Sequence, residues 1–249
     1  MLNTSAKELA MRMWMGELSS VEVTQFYIDR IEKHNPAINA VIAERFEAAL
    51  DEARQADEKV RRGEPLGALH GLAIAVKDII GTLDMPTECG TVFRKKMPSS
   101  QDSEIVNLLK TAGAIIMGKT VTCELAYIHP SKTTNPHDYS RTPGGSSSGS
   151  AAVIASHMAH LSIGSQTGGS IIRSASYCGV VGYKPSSGLI SRSGVLKTSE
   201  KLDTIGVESL LTSSAWLFQG CEVTIILYNL GLNKISSNLK ILHYTSLNL

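Results

Sequence analysis

Residues 71–78 read Gly-Leu-Ala-Ile-Ala-Val-Lys-Asp, so that an unbroken apolar run, residues 72–76, lies between a glycine and a charged pair. A short apolar run of this kind is typical of a strand that is buried on both faces. Residues 114–117, Ala-Ile-Ile-Met, form a second such run, and residues 103–112 before it have a helical pattern. Short apolar strands that alternate with helices predict an α/β fold around one central sheet.

The sequence on the N-terminal side of the first strand predicts three helices. Ser5 followed three residues later by Glu8 resembles a capping box, which marks the start of the first helix. A second periodic stretch opens at Ser20 and is expected to end near Pro36, because the residue before a proline disfavours helical geometry. A third helix, rich in Ala, Glu and Arg, is expected over residues 44–62.

Composition excludes several classes of function. The chain has 24 Lys and Arg against 23 Asp and Glu, a net charge of +1 that gives no electrostatic reason to expect nucleic acid or an anionic membrane as partner. The four cysteines form no CxxC pair and the seven histidines no HExxH motif, so we expect neither a disulfide scaffold nor a metal site. Without an apolar signal region or a run of ~18–20 apolar residues, a soluble cytoplasmic protein is expected.

Two turns rich in glycine and serine are the candidate sites of chemistry. The first, Pro143-Gly-Gly-Ser-Ser-Ser-Gly-Ser150, leads into an Ala-rich helix that is expected to reach about His160. A loop of this kind is either a flexible linker or a helix N-terminus that presents backbone N–H groups and hydroxyls to one point. The second, Ser165-Gln-Thr-Gly-Gly-Ser170, is either an ordinary turn or one that carries a nucleophile, with consecutive N–H groups placed to stabilise an oxyanion.

Lys77 directly follows the apolar run 72–76. Most lysines are exposed, and on local grounds Lys77 fits that description. The alternative is an amine that is partly desolvated, which lowers its pKa from ~10.4 toward a value useful for a base. A neutral lysine takes the proton of a serine either directly or through a second hydroxyl. One nucleophilic serine, one relay serine and this lysine would form a complete acyl-transfer device.

Two other motifs are weaker candidates. Residues 113–120, Gly-Ala-Ile-Ile-Met-Gly-Lys-Thr, match the phosphate-loop pattern GxxxxGK[ST]. In that motif a strand precedes the first glycine, whereas here the four variable residues are themselves the apolar strand, so phosphate binding is not expected. His137, His157 and His160 are the histidines nearest the two turns, but no spacing selects one of them as the partner of Ser170 in a Ser-His-Asp triad.

Taken together, these segments resemble the amidase signature family. The resemblance covers about residues 1–220 and is carried by segments 71–78, 118–120, 143–152, 166–170, 177–185 and 202–206. It implies an α/β/α sandwich around a mixed central sheet. It also implies hydrolysis of a small-molecule amide, with neither a metal nor an organic cofactor.

The resemblance also implies roles for individual residues. Ser170 matches the acylated nucleophile, Ser146 the bridging serine that is held in a cis peptide, and Lys77 the base that activates both. The backbone N–H groups expected to form the oxyanion hole belong to Thr167, Gly168, Gly169 and Ser170.

Arg173, three residues past the expected nucleophile, is the candidate for substrate recognition. The segment Gln166-Thr-Gly-Gly-Ser-Ile-Ile-Arg173 is most similar to malonamidase-type members of the family, in which the matching arginine holds the free carboxylate of the substrate. A planar bidentate donor suits that task. Gln166 is expected to contribute to the same substrate site. The alternative for Arg173 is a structural arginine that pairs with a nearby acid.

Two alternatives concern the chain as a whole. The A-type chain of glutamyl-tRNA amidotransferase shares most of these motifs, but its turn usually reads Asp-Thr-Gly-Gly-Ser-Ile rather than Gln-Thr-Gly-Gly-Ser-Ile-Ile. Family members are also about twice as long, and the family pattern fades after Gln219. Residues 221–249 contain no alanine, and no acidic residue after Glu222, so they are expected to form an atypical tail. The resulting hypothesis is a truncated amidase with an incomplete sheet, which is either inactive or dependent on a homodimer or a complementary chain.

Overall fold

The computed structural model describes residues 1–2 and 4–210, and its centre is a six-stranded sheet. The expected tail, residues 221–249, and the expected domain boundary at residue 220 lie outside the described residues. The helices are α1 Ala6–Trp14, α2 Ser20–Ile38, α3 Phe46–Arg61, α4 Glu104–Thr111, α5 Ser148–Ala155 and α6 Ile172–Cys178. The strands are β1 Val41–Glu44, β2 Ala73–Lys77, β3 Ile115–Thr120, β4 Leu161–Gln166, β5 Val181–Tyr183 and β6 Thr204–Ser209.

The sheet has the strand order β1-β3-β2-β4-β6-β5. Its three central strands, β3, β2 and β4, are parallel to one another, whereas β1, β6 and β5 pair in the antiparallel direction. The expectation of an α/β fold around a mixed sheet is therefore confirmed. Because the central strands are parallel, the residues that end β2 and β4 meet at one edge of the sheet, where ligands commonly bind in folds of this class.

The second predicted strand continues into residues that resemble part of a phosphate loop. Strand β3 runs through Gly118 and Lys119 to Thr120, and all of its residues are buried. The Lys119 ammonium donates to the Ile80 carbonyl at 2.6 Å and to the Thr87 hydroxyl at 2.8 Å. Because this lysine is committed to the interior and the glycines flank a strand, the expectation that no phosphate loop forms here is confirmed.

Helix α2 begins where the sequence predicts but ends later than expected. Ser19 and Glu22 form a complete capping box at its N-terminus. The predicted end near Pro36 is wrong, because the helix continues through this proline to Ile38. The last carbonyls are satisfied from outside the helix, since Thr134 donates its backbone N–H to Ile38 at 3.0 Å and its hydroxyl to Ala37 at 3.2 Å. A tertiary contact therefore sets this helix end.

The predicted start of the third helix at residue 44 is also wrong, because Val41–Glu44 forms the short edge strand β1 and α3 begins at Phe46. Strand β1 pairs with β3, which is distant in sequence. The Asn35 side-chain oxygen accepts from the N–H groups of Ala40 and Val41, both at 2.8 Å, and so fixes the entry to the strand. No helix among residues 4–210 is long and apolar enough to cross a membrane.

The interior of the fold contains a histidine whose protonation opposes folding. His160 is 5% exposed and its Nδ1 lies 2.8 Å from the Tyr27 hydroxyl. Burial lowers the pKa of His160 to about 4. The unfolded chain binds this proton near its ordinary pKa of ~6.5, whereas the folded protein resists it down to about 4. Native stability is therefore complete above pH ~6.5 and falls as the pH drops toward 4, by up to about 3 kcal/mol from this group.

We expect His160→Gln to flatten this acid dependence of stability. The free energy of unfolding, measured by urea denaturation between pH 7 and 4, should fall less steeply in the variant than in the unmodified chain. His129→Gln, a change at an exposed histidine, is the control and should keep the original slope. Equal slopes for His160→Gln and the unmodified chain would contradict the assignment.

Candidate active site

Lys77 ends β2 and is fully buried, so its description as a surface lysine is wrong. Its Nζ donates to the hydroxyl of Ser146 at 2.7 Å, of Ser147 at 3.0 Å and of Ser165 at 2.9 Å. Three acceptors match the three N–H donors of a lysine ammonium. The lysine is thus held in one position by serines from both Gly/Ser-rich turns.

The environment of Lys77 brings its protonation equilibrium close to neutral pH. Burial lowers the pKa of Lys77 to about 7, although the negative charge of Glu208 and weaker contributions from Cys123 and Asp203 act in the opposite direction. A group with this pKa exists as amine and ammonium in comparable amounts near pH 7. It is therefore suited both to accept and to return a proton.

The first Gly/Ser-rich turn is an ordered part of the interior and not a flexible linker. The Gly145–Ser146 peptide bond is cis, and Ser146 is 1% exposed. The Ser146 carbonyl accepts from the Cys123 N–H at 3.1 Å. The Cys123 sulfur leaves no room for a Cβ at Gly145. Residues 143–150 are thus packed tightly enough to hold the Ser146 hydroxyl against Lys77.

The second turn connects β4 to α6 and contacts the first. Ser170 is buried, and its carbonyl accepts from the Ser147 N–H at 3.3 Å and from the Ser174 hydroxyl at 3.0 Å. The Ser170 hydroxyl itself has no hydrogen-bond partner among the described residues. The structure therefore brings the backbone of Ser170 against the residue that follows Ser146 and leaves its hydroxyl uncommitted.

The glycines of the second turn border open space. No backbone N–H of Gly168, Gly169 or Ser170 donates to an acceptor within residues 4–210. A Cβ built on Gly168 would find nothing within 4 Å, and one on Gly169 would meet only Arg173, at 3.9 Å. Donors without acceptors beside open space are what an oxyanion site requires.

Two side chains of this turn are engaged in holding its shape. The Gln166 side-chain oxygen accepts from the N–H groups of Ile171 and Ile172, both at 3.0 Å. The Thr167 hydroxyl donates to Asp203 at 2.5 Å. Gln166, which was expected in the substrate site, thus uses its oxygen within the turn, and Thr167 ties the turn to the segment that precedes β6.

Asp203 was not singled out from the sequence, yet it anchors the second turn. Besides Thr167 it accepts from the Thr198 hydroxyl and from the N–H groups of Thr198 and Ser199. Burial raises the pKa of Asp203, but these hydrogen bonds outweigh burial and keep the pKa below its ordinary value. The carboxylate is therefore charged and fully used in positioning.

Arg173 is exposed and binds backbone rather than an acid. Its Nε and Nη2 donate to the Gly145 carbonyl at 3.0 and 2.5 Å. It takes part in no salt bridge within the described part of the chain, so the expected alternative of pairing with a nearby acid is not formed there. The guanidinium instead contacts the peptide unit that precedes Ser146.

The three candidate histidines lie away from the serine cluster. His137 Nε2 is 2.8 Å from the Cys178 carbonyl, and His160 contacts Tyr27. His157 has a positive φ of 54° after the end of α5. Within residues 4–210, no histidine hydrogen bonds to a serine hydroxyl, so the described residues form no Ser-His-Asp triad.

Three further residues near Lys77 were not recognised from the sequence. Ser147 and Ser165 accept from its ammonium, and Glu208 on β6 is its strongest charged neighbour. Ser147 and Ser165 lie inside the Gly/Ser-rich motifs, which was a usable signal. Glu208 had only a weak one, a single acid in an otherwise uncharged strand.

The described residues thus form an α/β protein in which a buried lysine, and no histidine, contacts the serines of two Gly/Ser-rich turns. This combination is typical of serine hydrolases that employ lysine in place of histidine. Comparison with known proteins is more specific. The sequence model of the amidase family, described as "Amidase", matches residues 22–218. The chain belongs to the amidase family.

Relatives in sequence and in structure agree with this assignment. The chain is 40% identical over 208 residues to the A-type chain of the glutamyl-tRNA(Gln) amidotransferase of Gloeothece citriformis, covering 81% of this chain and 43% of the relative. The solved peptide amidase of Stenotrophomonas maltophilia superposes with a TM-score of 0.84 at 33% identity, over 95% of this chain and 51% of that one. An amidase family protein from Bacillus anthracis gives a TM-score of 0.80 at 35% identity, over 86% and 45%. The chain spans about half the length of the relatives it matches.

Proposed function

We propose that this chain hydrolyses the amide bond of small carboxamides through an acyl-enzyme on Ser170. The observation that carries the proposal is the buried Lys77, whose Nζ lies 2.7 Å from the Ser146 hydroxyl and whose pKa is lowered to about 7 by burial. A lysine buried at this cost beside a serine has the properties of a general base. Membership of the amidase family supports the same reaction.

The proposed reaction moves one proton through the serine pair. Neutral Lys77 takes the proton of Ser146 as Ser146 takes that of Ser170. The Ser170 oxygen then attacks the carbonyl carbon, and the π electrons move to the carbonyl oxygen. When the tetrahedral intermediate collapses, the carbon–nitrogen bond breaks and the leaving amine receives the proton from Lys77 by way of Ser146. Water repeats the sequence on the ester and releases the acid and Ser170.

The second turn supplies the proposed oxyanion site. The N–H groups of Gly168, Gly169 and Ser170 have no acceptor among the described residues and border open space. We assign the N–H of Thr167 to the same site, because its side chain fixes the turn through Asp203. The loss of one such donor typically costs about 10²–10³ in rate.

For the substrate, we propose that carboxamides with a free carboxylate are among those accepted. Arg173 supports this, because it is exposed at the mouth of the serine cluster and its Nη1 donates to no residue within 4–210. Two of its nitrogens hold the Gly145 carbonyl, so a carboxylate would bind at the remaining nitrogen or displace that contact. Gln166 would contribute its side-chain nitrogen, since its oxygen is used by Ile171 and Ile172.

Intact-mass analysis after incubation with a fluorophosphonate tests the proposed nucleophile, with Ser170→Ala as the control. Release of ammonia from a panel of small carboxamides, with and without a carboxylate, then tests the reaction and its substrate range. A folded chain that forms no adduct and releases no ammonia would support the alternative of an inactive amidase fragment.

We expect Ser146→Ala to slow acylation of Ser170 by at least about 10²-fold, the usual contribution of a proton-transfer partner. The change removes the hydroxyl that receives the shortest hydrogen bond from Lys77. The rate of adduct formation measures this effect. Ser148→Ala is a matched control in the same turn, because the Ser148 hydroxyl bonds to Ser131 rather than to the lysine. An Ser146→Ala rate close to the original would exclude the relay.

A second candidate function is that of one component of an amidotransferase. The observation that favours it is the 40–43% identity to several proteins named as the A-type chain of glutamyl-tRNA(Gln) amidotransferase. Such a component works with other chains, which agrees with our proposal that a complementary chain or a second copy completes the site. Amidation of glutamyl-tRNA by a mixture of this chain with a partner would support this function. Ammonia release by the chain without an acceptor would favour the amidase.

A further inference from the structure

Glu208, in the middle of β6, is a carboxyl group buried without a visible reason. It is fully buried, and its direct neighbours on the adjacent strands are Ser162 and Gly182. Neither of its carboxylate oxygens has a hydrogen-bond partner among the described residues. Burial of an acid without a donor is costly, and such a group in a folded protein requires an explanation.

The position of the carboxylate relates it to the proposed base. A Cβ built on Gly164 would lie 2.7 and 2.9 Å from the two Glu208 oxygens and 3.0 Å from the Ser147 hydroxyl oxygen. The carboxylate and this hydroxyl thus border the same point on β4, which is free because residue 164 is a glycine. The Ser147 hydroxyl in turn accepts from Lys77 at 3.0 Å. A single hydroxyl therefore separates the buried acid from the buried lysine.

The charges of the two buried groups depend on each other. The three contacts of the Lys77 ammonium are uncharged hydroxyls. Burial lowers the pKa of Lys77, and the strongest opposing influence is the charge of Glu208. Burial raises the pKa of Glu208 well above its ordinary value, and Lys77 is the strongest influence that opposes this rise. Each group is thus the main counter-charge of the other.

Other ionisable groups around the pair contribute less. Cys123 and Asp203 act on Lys77 in the same direction as Glu208 but more weakly. Burial, followed by the charge of Glu208, raises the pKa of Cys178 at the end of α6 to about 12, so this thiol stays neutral. Burial also raises the pKa of Tyr183 on β5. The segments of α5 and β4 that pack here, Ser148–Ala155 and Leu161–Gln166, contain no ionisable side chain.

We propose that Glu208 is the buried counter-ion of Lys77 and acts as a positioning residue that sets the pH at which this lysine becomes a base. The carboxylate holds Lys77 in the ammonium form. Without it, the ammonium would be left buried beside neutral hydroxyls alone, which favours loss of its proton. The consequence for catalysis rests on the proposed function, whereas the pairing of the two charges does not.

The pairing is tested by direct titration of Lys77. The protein is labelled with [ε-¹³C]lysine, and the Lys77 signal is assigned by its absence in Lys77→Met. In Glu208→Gln and Glu208→Met, the Lys77 midpoint is expected at lower pH than in the unmodified chain. Glu47→Gln, at an exposed position on α3, is the control for loss of one negative charge. An unchanged midpoint in either folded Glu208 variant would overturn the proposal.

The effect on the reaction is measured in parallel as the pH dependence of Ser170 acylation by the fluorophosphonate. The acid limb should move to lower pH in both Glu208 variants. A shift of one pH unit makes the rate, relative to its own plateau, about tenfold higher well below the original midpoint. A merely structural role would lower the plateau and leave the limb in place, and that result would overturn the proposal. If the unmodified chain forms no adduct at any pH, the proposed function fails, and the lysine titration still decides whether Glu208 is the counter-ion.

Discussion

Replacement of Ser170 by alanine is expected to abolish both fluorophosphonate labelling and amide hydrolysis. The hydroxyl of Ser170 is uncommitted among the described residues, and its backbone is fixed against Ser147, next to the proposed relay. Without it no acyl-enzyme forms, and we expect the rate to fall by at least about 10⁴-fold, as in enzymes whose catalytic groups act as a unit. Intact-mass analysis measures the labelling, and ammonia release measures the hydrolysis.

The outcome is informative because the chain offers a matched control. Ser176 lies on α6, six residues further along the chain, and is exposed. Ser176→Ala should therefore label and turn over at the original rate. An adduct that persists in Ser170→Ala would assign the nucleophile to another serine. Ser146 would then be the first candidate, because its hydroxyl lies closest to Lys77.

The second large effect is expected for Lys77→Met, which should lower the acylation rate by about 10²–10⁴-fold, the range that a general base contributes. Methionine keeps the length and apolar stem of the side chain but cannot accept a proton. Lys77→Arg should be equally slow, because a guanidinium stays protonated at any working pH. In the unmodified chain, acylation should rise as the pH passes about 7, where Lys77 loses its proton.

Stopped-flow or quenched mass measurements of adduct formation between pH 5 and 9 would check this dependence. Lys132→Met, a change at an exposed lysine, is the control and should retain the original profile. Near-normal acylation in a folded Lys77→Met variant would refute the lysine as base. In that event the pH profile would have to be assigned to another group.

The sequence predicted the elements whose signals are local. The apolar runs at residues 72–76 and 114–117 became β2 and β3, because five or six consecutive apolar side chains are stable only where both faces of a strand are covered. The end of α2 and the strand β1 were missed. The first depends on hydrogen bonds from Thr134 and the second on pairing with β3, and neither partner is near in sequence.

The candidate site was predictable to the extent that motifs carry it. Lys77 and Ser146 were named from the sequence, and the structure brings them to hydrogen-bonding distance. Their roles, like that of Ser170, remain predictions for the experiments above. Ser165 and Glu208 escaped attention because a serine in a polar turn and one acid in a strand are common, and only the neighbouring strands make them part of the site.

By itself the sequence determined that a lysine ends a buried strand and that two glycine- and serine-rich turns follow it. Only the tertiary structure decided what kind of lysine this is. Its three hydroxyl partners lie 69, 70 and 88 residues further along the chain, and its counter-charge Glu208 lies on yet another strand. The protonation of an amine depends on its burial and on the charges and acceptors around it. Those surroundings exist only when β2, β4, β6 and the N-terminus of α5 pack together.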